Sequence, residues 1–215
     1  MKIISIVAGP IATNCYLLFY EGNRDAVLID APLDCTQQII DELKKNNLNL
    51  KSILLTHSHW DHAGDVKHLS EYTKAQIFVH QDDNYRLTEP DKHTVFPLLD
   101  SIEPFKEAIF FIKNQKIKTG DIELEVLFTP GHTEGGVCFV SHKEKLIFSG
   151  DTLFCQSIGR TDLPGGSLDL LMESISRELL VLPDEYKVFT GHGEETTIKF
   201  EREENPYLNG FYGIM

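Results

Sequence analysis

Short apolar runs separated by glycine- or asparagine-bearing turns fill the first third of the chain. Ile3–Val7, Asn14–Tyr20 and Ala26–Asp30 read as three strands, with turns at Gly9-Pro10 and Gly22-Asn23. Asp34 predicts a helix cap, and the helix behind it runs to Asn46 with Ile39, Ile40 and Leu43 on its apolar face. Ile53-Leu54-Leu55 has the composition of a buried strand. Ala63–Lys74 follows as a helix presenting Val66, Leu69 and Tyr72. Gln76–His80 is the next strand, and Gln81–Leu87 a short helix.

Thr88–Phe105 breaks the rhythm. Pro90, Pro97 and Pro104 interrupt it, yet Phe96, Leu98, Leu99 and Phe105 make it more apolar than an ordinary loop. Two readings stand side by side, a lid or substrate wall and a packed connector with one helical turn. Two hairpins come next, Gln115–Lys118 with Ile122–Thr129 and Gly136–Ser141 with Lys145–Ser149. An irregular stretch, Thr152–Gly166, leads to a helix capped by Ser167 and running to Leu180, with Leu170, Leu171, Ile175 and Leu179 near one face. Lys187–Thr190 is the last strand and Glu194–Glu203 a closing helix. Pattern alone predicts sheets covered by helices, α/β or α+β.

The chemistry concentrates at turns. Thr56-His57-Ser58-His59-Trp60-Asp61-His62 lies between a strand and a helix. In extended chain, residues two apart point the same way, so His57, His59 and Asp61 can converge while His62 aims at a neighbouring point. Imidazole and carboxylate together suit zinc, iron and manganese. A chance histidine-rich surface turn is the bland alternative, and three further turns argue against it. His132 in TPGHTEGG, Asp151 in IFSGDTLF and His192 in VFTGHGEE each follow an apolar run and sit beside glycine.

In this order, HxHxDH, a histidine after Thr-Pro-Gly, a Gly-Asp and a Gly-His, the chain resembles the metallo-β-lactamase superfamily. Thr129-Pro-Gly-His-Thr, Ser149-Gly-Asp-Thr-Leu-Phe and Gly159-Arg-Thr-Asp162 look like the short bacterial relatives of glyoxalase II, the hydroxyacylglutathione hydrolases. The resemblance implies an α+β fold, a four-layer αββα sandwich of two mixed sheets packed face to face with helices outside, and one domain over residues 1–215. It implies that His57, His59 and His132 hold one metal, that Asp61, His62 and His192 hold the other, and that Asp151 bridges them. The cofactors would be two divalent ions, zinc first and iron or manganese as alternatives. With two aspartates and a hydroxide, such a centre keeps about one unit of positive charge, which favours an anionic tetrahedral intermediate. Asp61 would also act catalytically by orienting the attacking hydroxide.

The implied reaction is hydrolysis of a small-molecule thioester such as S-lactoylglutathione. A mononuclear-iron persulfide dioxygenase is the first rival, because those enzymes resemble the chain too. A lactonase or phosphodiesterase is the second, and a non-enzymatic metal module the third. Only 23 residues follow His192, too few for the helical C-terminal domain with which full-length glyoxalase II binds glutathione. Arg160, on the loop after Asp151, reads as an internal partner of Asp162 or as a substrate-binding group. His68, His80, His93 and His142 read as structural or exposed, and Trp60 as packing.

Charge and cysteine usage narrow the classes. A net charge of −13, from 20 basic and 33 acidic residues, argues against nucleic-acid partners and so against the nuclease branches. There is no 18-residue apolar span and no secretory pattern at the start, so no membrane association and a cytoplasmic location are expected. Cys15, Cys35, Cys138 and Cys155 show no CxxC pairing, which predicts reduced thiols, with Cys155 a buried bystander.

Overall fold

Every residue of the strand Thr13–Phe19 is buried, and its two faces serve different cores. Cys15, Leu17 and Phe19 join one apolar cluster, while Tyr16 and Leu18 join another. That split recurs along the neighbouring strands, and it explains why they read as apolar runs rather than as alternating patterns. The computed structural model describes residues 1–94, 102–112 and 114–209.

The first sheet has the order β1 (Lys2–Ala8), β2 (Thr13–Phe19), β3 (Asp25–Ile29), β4 (Asn49–Leu54), β5 (Gln76–Val79) and β6 (Ile109–Phe110). Its first three strands are antiparallel and the rest parallel. The second sheet is built from β7 (Lys116–Thr119), β8 (Ile122–Phe128), β9 (Val137–Ser141) and β10 (Leu146–Gly150). A small hairpin, β11 (Leu153–Phe154) and β12 (Ser157–Ile158), leaves the sheet before β13 (Lys187–Thr190) and β14 (Thr196–Thr197) complete it in the order β14-β13-β10-β9-β8-β7. Only β10 and β13 pair in parallel there.

Three cores separate four layers. Ile39 and Leu43 of α1 (Thr36–Lys45), with Val66 and Leu69, cover the outside of the first sheet. Tyr16, Leu18, Val27 and Leu54 face Val126, Phe139, Phe148 and Phe189 between the sheets. Leu171, Ile175, Leu179 and Ile198 cover the outside of the second sheet. The αββα sandwich is therefore observed. Among the described residues no helix is long and apolar enough to cross a membrane.

Several local expectations need correction. The helix expected over Ala63–Lys74 is two pieces, α2 (Trp60–Ala63) and α3 (Val66–Thr73). A Cβ on Gly64 would lie 2.4 Å from Leu33 Cγ, so a glycine there lets the break pack against the chain after β3. Tyr72 is 57% exposed and Leu170 47% exposed, so neither belongs to its helix's buried face. Cys35, not Asp34, is the cap position of α1, and the Asp65 carboxylate accepts from Thr36 N at 2.9 Å in place of a local cap. The helix from Ser167 is α6 (Leu168–Ser174) followed by a π-turn segment, Ile175–Leu179. The closing helix, α7 (Ile198–Glu204), starts late because Thr196 and Thr197 pair with β13.

Of the proline-broken stretch, α4 (Asn84–Thr88) and α5 (Pro90–His93) form its start, and Phe105 N donates to Leu87 O at 2.8 Å. Phe96, Pro97, Leu98 and Leu99 lie outside the described residues. Cys15, Cys35 and Cys138 are buried free thiols; Cys155 is half-buried rather than buried and does not line the cleft described below.

A candidate metal centre at the strand ends

β4, β8, β10 and β13 each finish at the same end of the sandwich, and each hands over to a turn carrying a histidine or an aspartate. Two links bring the sheets' ends together. Val137 N donates to Thr56 O at 2.8 Å, and Thr13 forms an antiparallel bridge with His192, backed by Asn14 N to Gly191 O at 2.8 Å.

All seven residues expected to bind metal meet there. Ligand atoms of His57, His59 and His132 lie within 4.8 Å of one another, as do those of Asp61, His62 and His192, and those of His57, His62 and Asp151. His59 Nδ1 is 2.9 Å from His132 Nε2, and His62 Nε2 is 3.3 Å from His192 Nε2. Asp151 stands between the groups, 3.2 Å from His62 Nε2 through Oδ1 and 3.5 Å from His132 Nε2 through Oδ2. Gly191 makes that approach possible, since a Cβ there would sit 2.1 Å from Asp151 Oδ1 and 2.7 Å from His62 Cε1.

Hydrogen bonding behind the rings decides which nitrogens are bare. Thr56 Oγ1 donates its single proton to Asp30 Oδ2 at 2.8 Å, so it accepts from His57 Nδ1 at 3.1 Å. His57 Nε2 is then a buried lone pair with no partner. Asp30 also accepts from Thr56 N and from His62 Nδ1, the latter at 2.9 Å, which turns His62 Nε2 toward the cluster. His132 Nδ1 donates to Arg160 O at 2.8 Å, so Nε2 faces the cluster as an acceptor. His57 Nε2 and Asp151 Oδ1 are buried without a hydrogen-bond partner, and with the neighbouring imidazoles and Asp61 they make a donor set that a divalent cation fits.

The charges respond to that crowding. Burial, then the neighbouring His62 and His132, hold His57 well below the ordinary histidine value. Burial and His132 bring His59 down to about 3. His62 goes the other way: burial opposes its charge, but Asp151, Asp61 and Asp30 outweigh it and raise it well above 6.5. His192 is raised too, against burial, by Asp61 and Asp151. Asp61 and Asp151 both fall below the usual carboxylate range, since the cluster's histidines overcome their burial penalty.

Two buried carboxylates hold the turns, and sequence reasoning missed both. Asp30 was visible only as the end of an apolar strand. Asp83 is fully buried and accepts from Ser58 N at 2.9 Å, Thr133 Oγ1 at 3.0 Å, Gly135 N at 2.7 Å and Arg86 Nη1 at 3.1 Å. An aspartate sharing a short polar segment with an arginine three residues on carried a faint signal, but its partners are distant in sequence.

A cleft of about 560 Å³ opens over the cluster, with His59, Asp61, His132, Asp151 and His192 in its wall. Arg160 reaches the rim, where its guanidinium makes a bidentate pair with Asp162 at 2.7 Å twice. Trp60 lines the cleft, so the packing role expected for it is an incomplete description, while His93 is exposed as expected and also lines the cleft. His68 and His142 are about half exposed, and His142 bonds Glu125 and Tyr186 away from the cluster.

A sequence model described as the metallo-beta-lactamase superfamily matches residues 8–192. The hydroxyacylglutathione hydrolase GloC of Haemophilus influenzae is 35% identical, over 97% of this chain and 99% of its own. Among solved structures, the BLEG-1 B3 metallo-beta-lactamase superposes with a TM-score of 0.89 at 37% identity, covering 97% of this chain and all of that one. TTHA1623, crystallised in a di-iron-bound form, gives a TM-score of 0.82 at 32% identity over 95% of this chain and all of its own.

Proposed function

This chain belongs to the metallo-beta-lactamase superfamily and is a metallo-hydrolase of it, and we propose that its substrate is an acyl thioester, with S-lactoylglutathione as the reference compound. One observation carries the reading: seven residues with nitrogen and oxygen donors gather in three overlapping groups, five of them in the wall of an open cleft. In this reading His57, His59 and His132 hold one divalent ion, Asp61, His62 and His192 hold the second, and Asp151 reaches both. Zinc suits the set, and so does iron, the metal named for the similar TTHA1623. When bound, such ions bring a coordinated water's pKa toward neutrality and polarise a carbonyl oxygen.

The chain's own groups then set the geometry. Thr13 Oγ1 donates to Asp61 Oδ2 at 3.1 Å and fixes that carboxylate, which can orient the attacking water. Asp30 and Arg160 O keep the histidine rings in their binding tautomers. In the reaction a water oxygen bonds to the acyl carbon and the C–S bond breaks. One proton of the water passes to the departing sulfur, the other leaves with the acid product.

The test is metal analysis and turnover on one purified sample, with S-lactoylglutathione, a chromogenic β-lactam and glutathione persulfide side by side. Turnover of the thioester that chelator abolishes and metal restores supports the reading. β-Lactam hydrolysis without thioesterase activity would move the assignment toward BLEG-1, and oxygen uptake with the persulfide toward a dioxygenase.

A further inference from the structure

The cleft's charged groups are already committed to one another. Arg86 is 6% exposed and bonds Asp83 through Nη1, and Glu134 Oε2 at 2.8 Å and Pro164 O at 2.9 Å through Nη2. Arg160 is held by Asp162, and Lys92 Nζ lies 2.5 Å from Glu89 Oε1. Glu103, also in the lining, pairs with Lys67. Outside the metal cluster the lining itself holds Arg86, Lys92, Arg160 and Glu103, and each of the three cations is paired with carboxylates standing behind the lining, Asp83 and Glu134, Glu89, and Asp162. The rim pairs at Lys92 and Arg160 are exposed and individually weak. A ligand carboxylate taking either cation would still leave the displaced Glu89 or Asp162 beside it, a like-charge contact.

The uncharged part of the lining is mostly apolar, with Ile11, Trp60, Leu87, Ile102, Phe105 and Phe154 in it beside the hydroxyls of Ser58, Tyr85, Thr94 and Ser157. Burying a methylene against such a surface is worth about fourfold in affinity. A glutathione thioester brings two carboxylates into this setting. We propose that the cleft selects an apolar, uncharged thioester, one whose thiol carrier bears no carboxylates; this rests on the thioesterase reading above.

Binding and turnover separate the two claims. Metal-loaded protein is titrated by calorimetry with non-hydrolysable thioethers, S-hexyl-N-acetylcysteamine against S-hexylglutathione, and with shorter S-alkyl homologues. The neutral thioether should bind at least threefold tighter than its glutathione counterpart, with affinity rising severalfold per added methylene. Phe105→Ala should flatten that rise. Tighter binding of the glutathione thioether that weakens with salt would overturn the proposal, as would the absence of binding by either. If the thioethers bind in the expected order while no thioester is turned over, the thioesterase reading fails and the character of the cleft stands.

Discussion

Asp83 accepts the backbone N–H of Ser58 at 2.9 Å, and Ser58 is the residue between His57 and His59. The same carboxylate holds Thr133 and Gly135, just beyond His132. One buried group therefore sets the spacing of the two turns that supply a single candidate metal point. Asp83→Asn would aim an amide N–H at existing donors and strip the buried Arg86 of a charge. We expect a stability loss of about 3 kcal/mol in denaturant titration. We also expect bound metal to fall from two equivalents toward one, the Asp61, His62 and His192 point being retained. Equal loss at both points would show that Asp83 serves the scaffold alone.

Gly191→Ala tests the approach of β13's turn to Asp151. With a Cβ 2.1 Å from Oδ1, the carboxylate must swing away from His62. The variant should lose second-metal binding and at least a hundredfold in hydrolysis while its far-ultraviolet dichroism is kept. Full metal content measured by plasma emission would contradict the geometry.

The acid and alkaline limbs of stability should have different owners in the metal-free protein. His57 and His59 are depressed in the fold, so the unfolded chain takes up protons first; stability is lost as pH falls from 6.5 toward the folded values, about 3 for His59. His62 and His192 are raised, so their contribution is complete below 6.5 and is lost as pH rises through the folded values. Melting temperature should peak near pH 6.5 without metal. Loading zinc strips the ring protons and should remove the alkaline decline attributable to these rings. A metal-free profile rising steadily to pH 9 would count against these directions.

Arg160 offers its carbonyl to His132 while its side chain pairs with Asp162. Arg160→Ala keeps the carbonyl. KM for S-lactoylglutathione should change less than threefold, with kcat nearly unaltered. A tenfold rise in KM would make the guanidinium a substrate contact.

Some of this was legible in the sequence, and the divisions have physical causes. The seven cluster residues were visible because ligand chemistry restricts residue type at strand-end turns. The layers were not visible from pattern, because Cys15, Leu17 and Phe19 are as apolar as Tyr16 and Leu18 though they face different cores. β6, β11 and β12 are two-residue strands, too short to show any period. The break after Ala63 depends on Leu33 packing on Gly64, and the reach of Asp83 on partners 25 to 52 positions away. Neither is a local property of the chain.

The bridge between Thr13 and His192 has a consequence for the order of events during synthesis. The first sheet's turn emerges from the ribosome with His57, His59, Asp61 and His62, but its neighbours from the second sheet come much later. His192 is translated last of the seven, and it settles beside one of the earliest strands. No growing chain shorter than that can assemble the second three-residue group. Ion capture at the proposed centre would therefore be a late step, with nascent chains carrying only a histidine-rich turn whose three later partners are still missing.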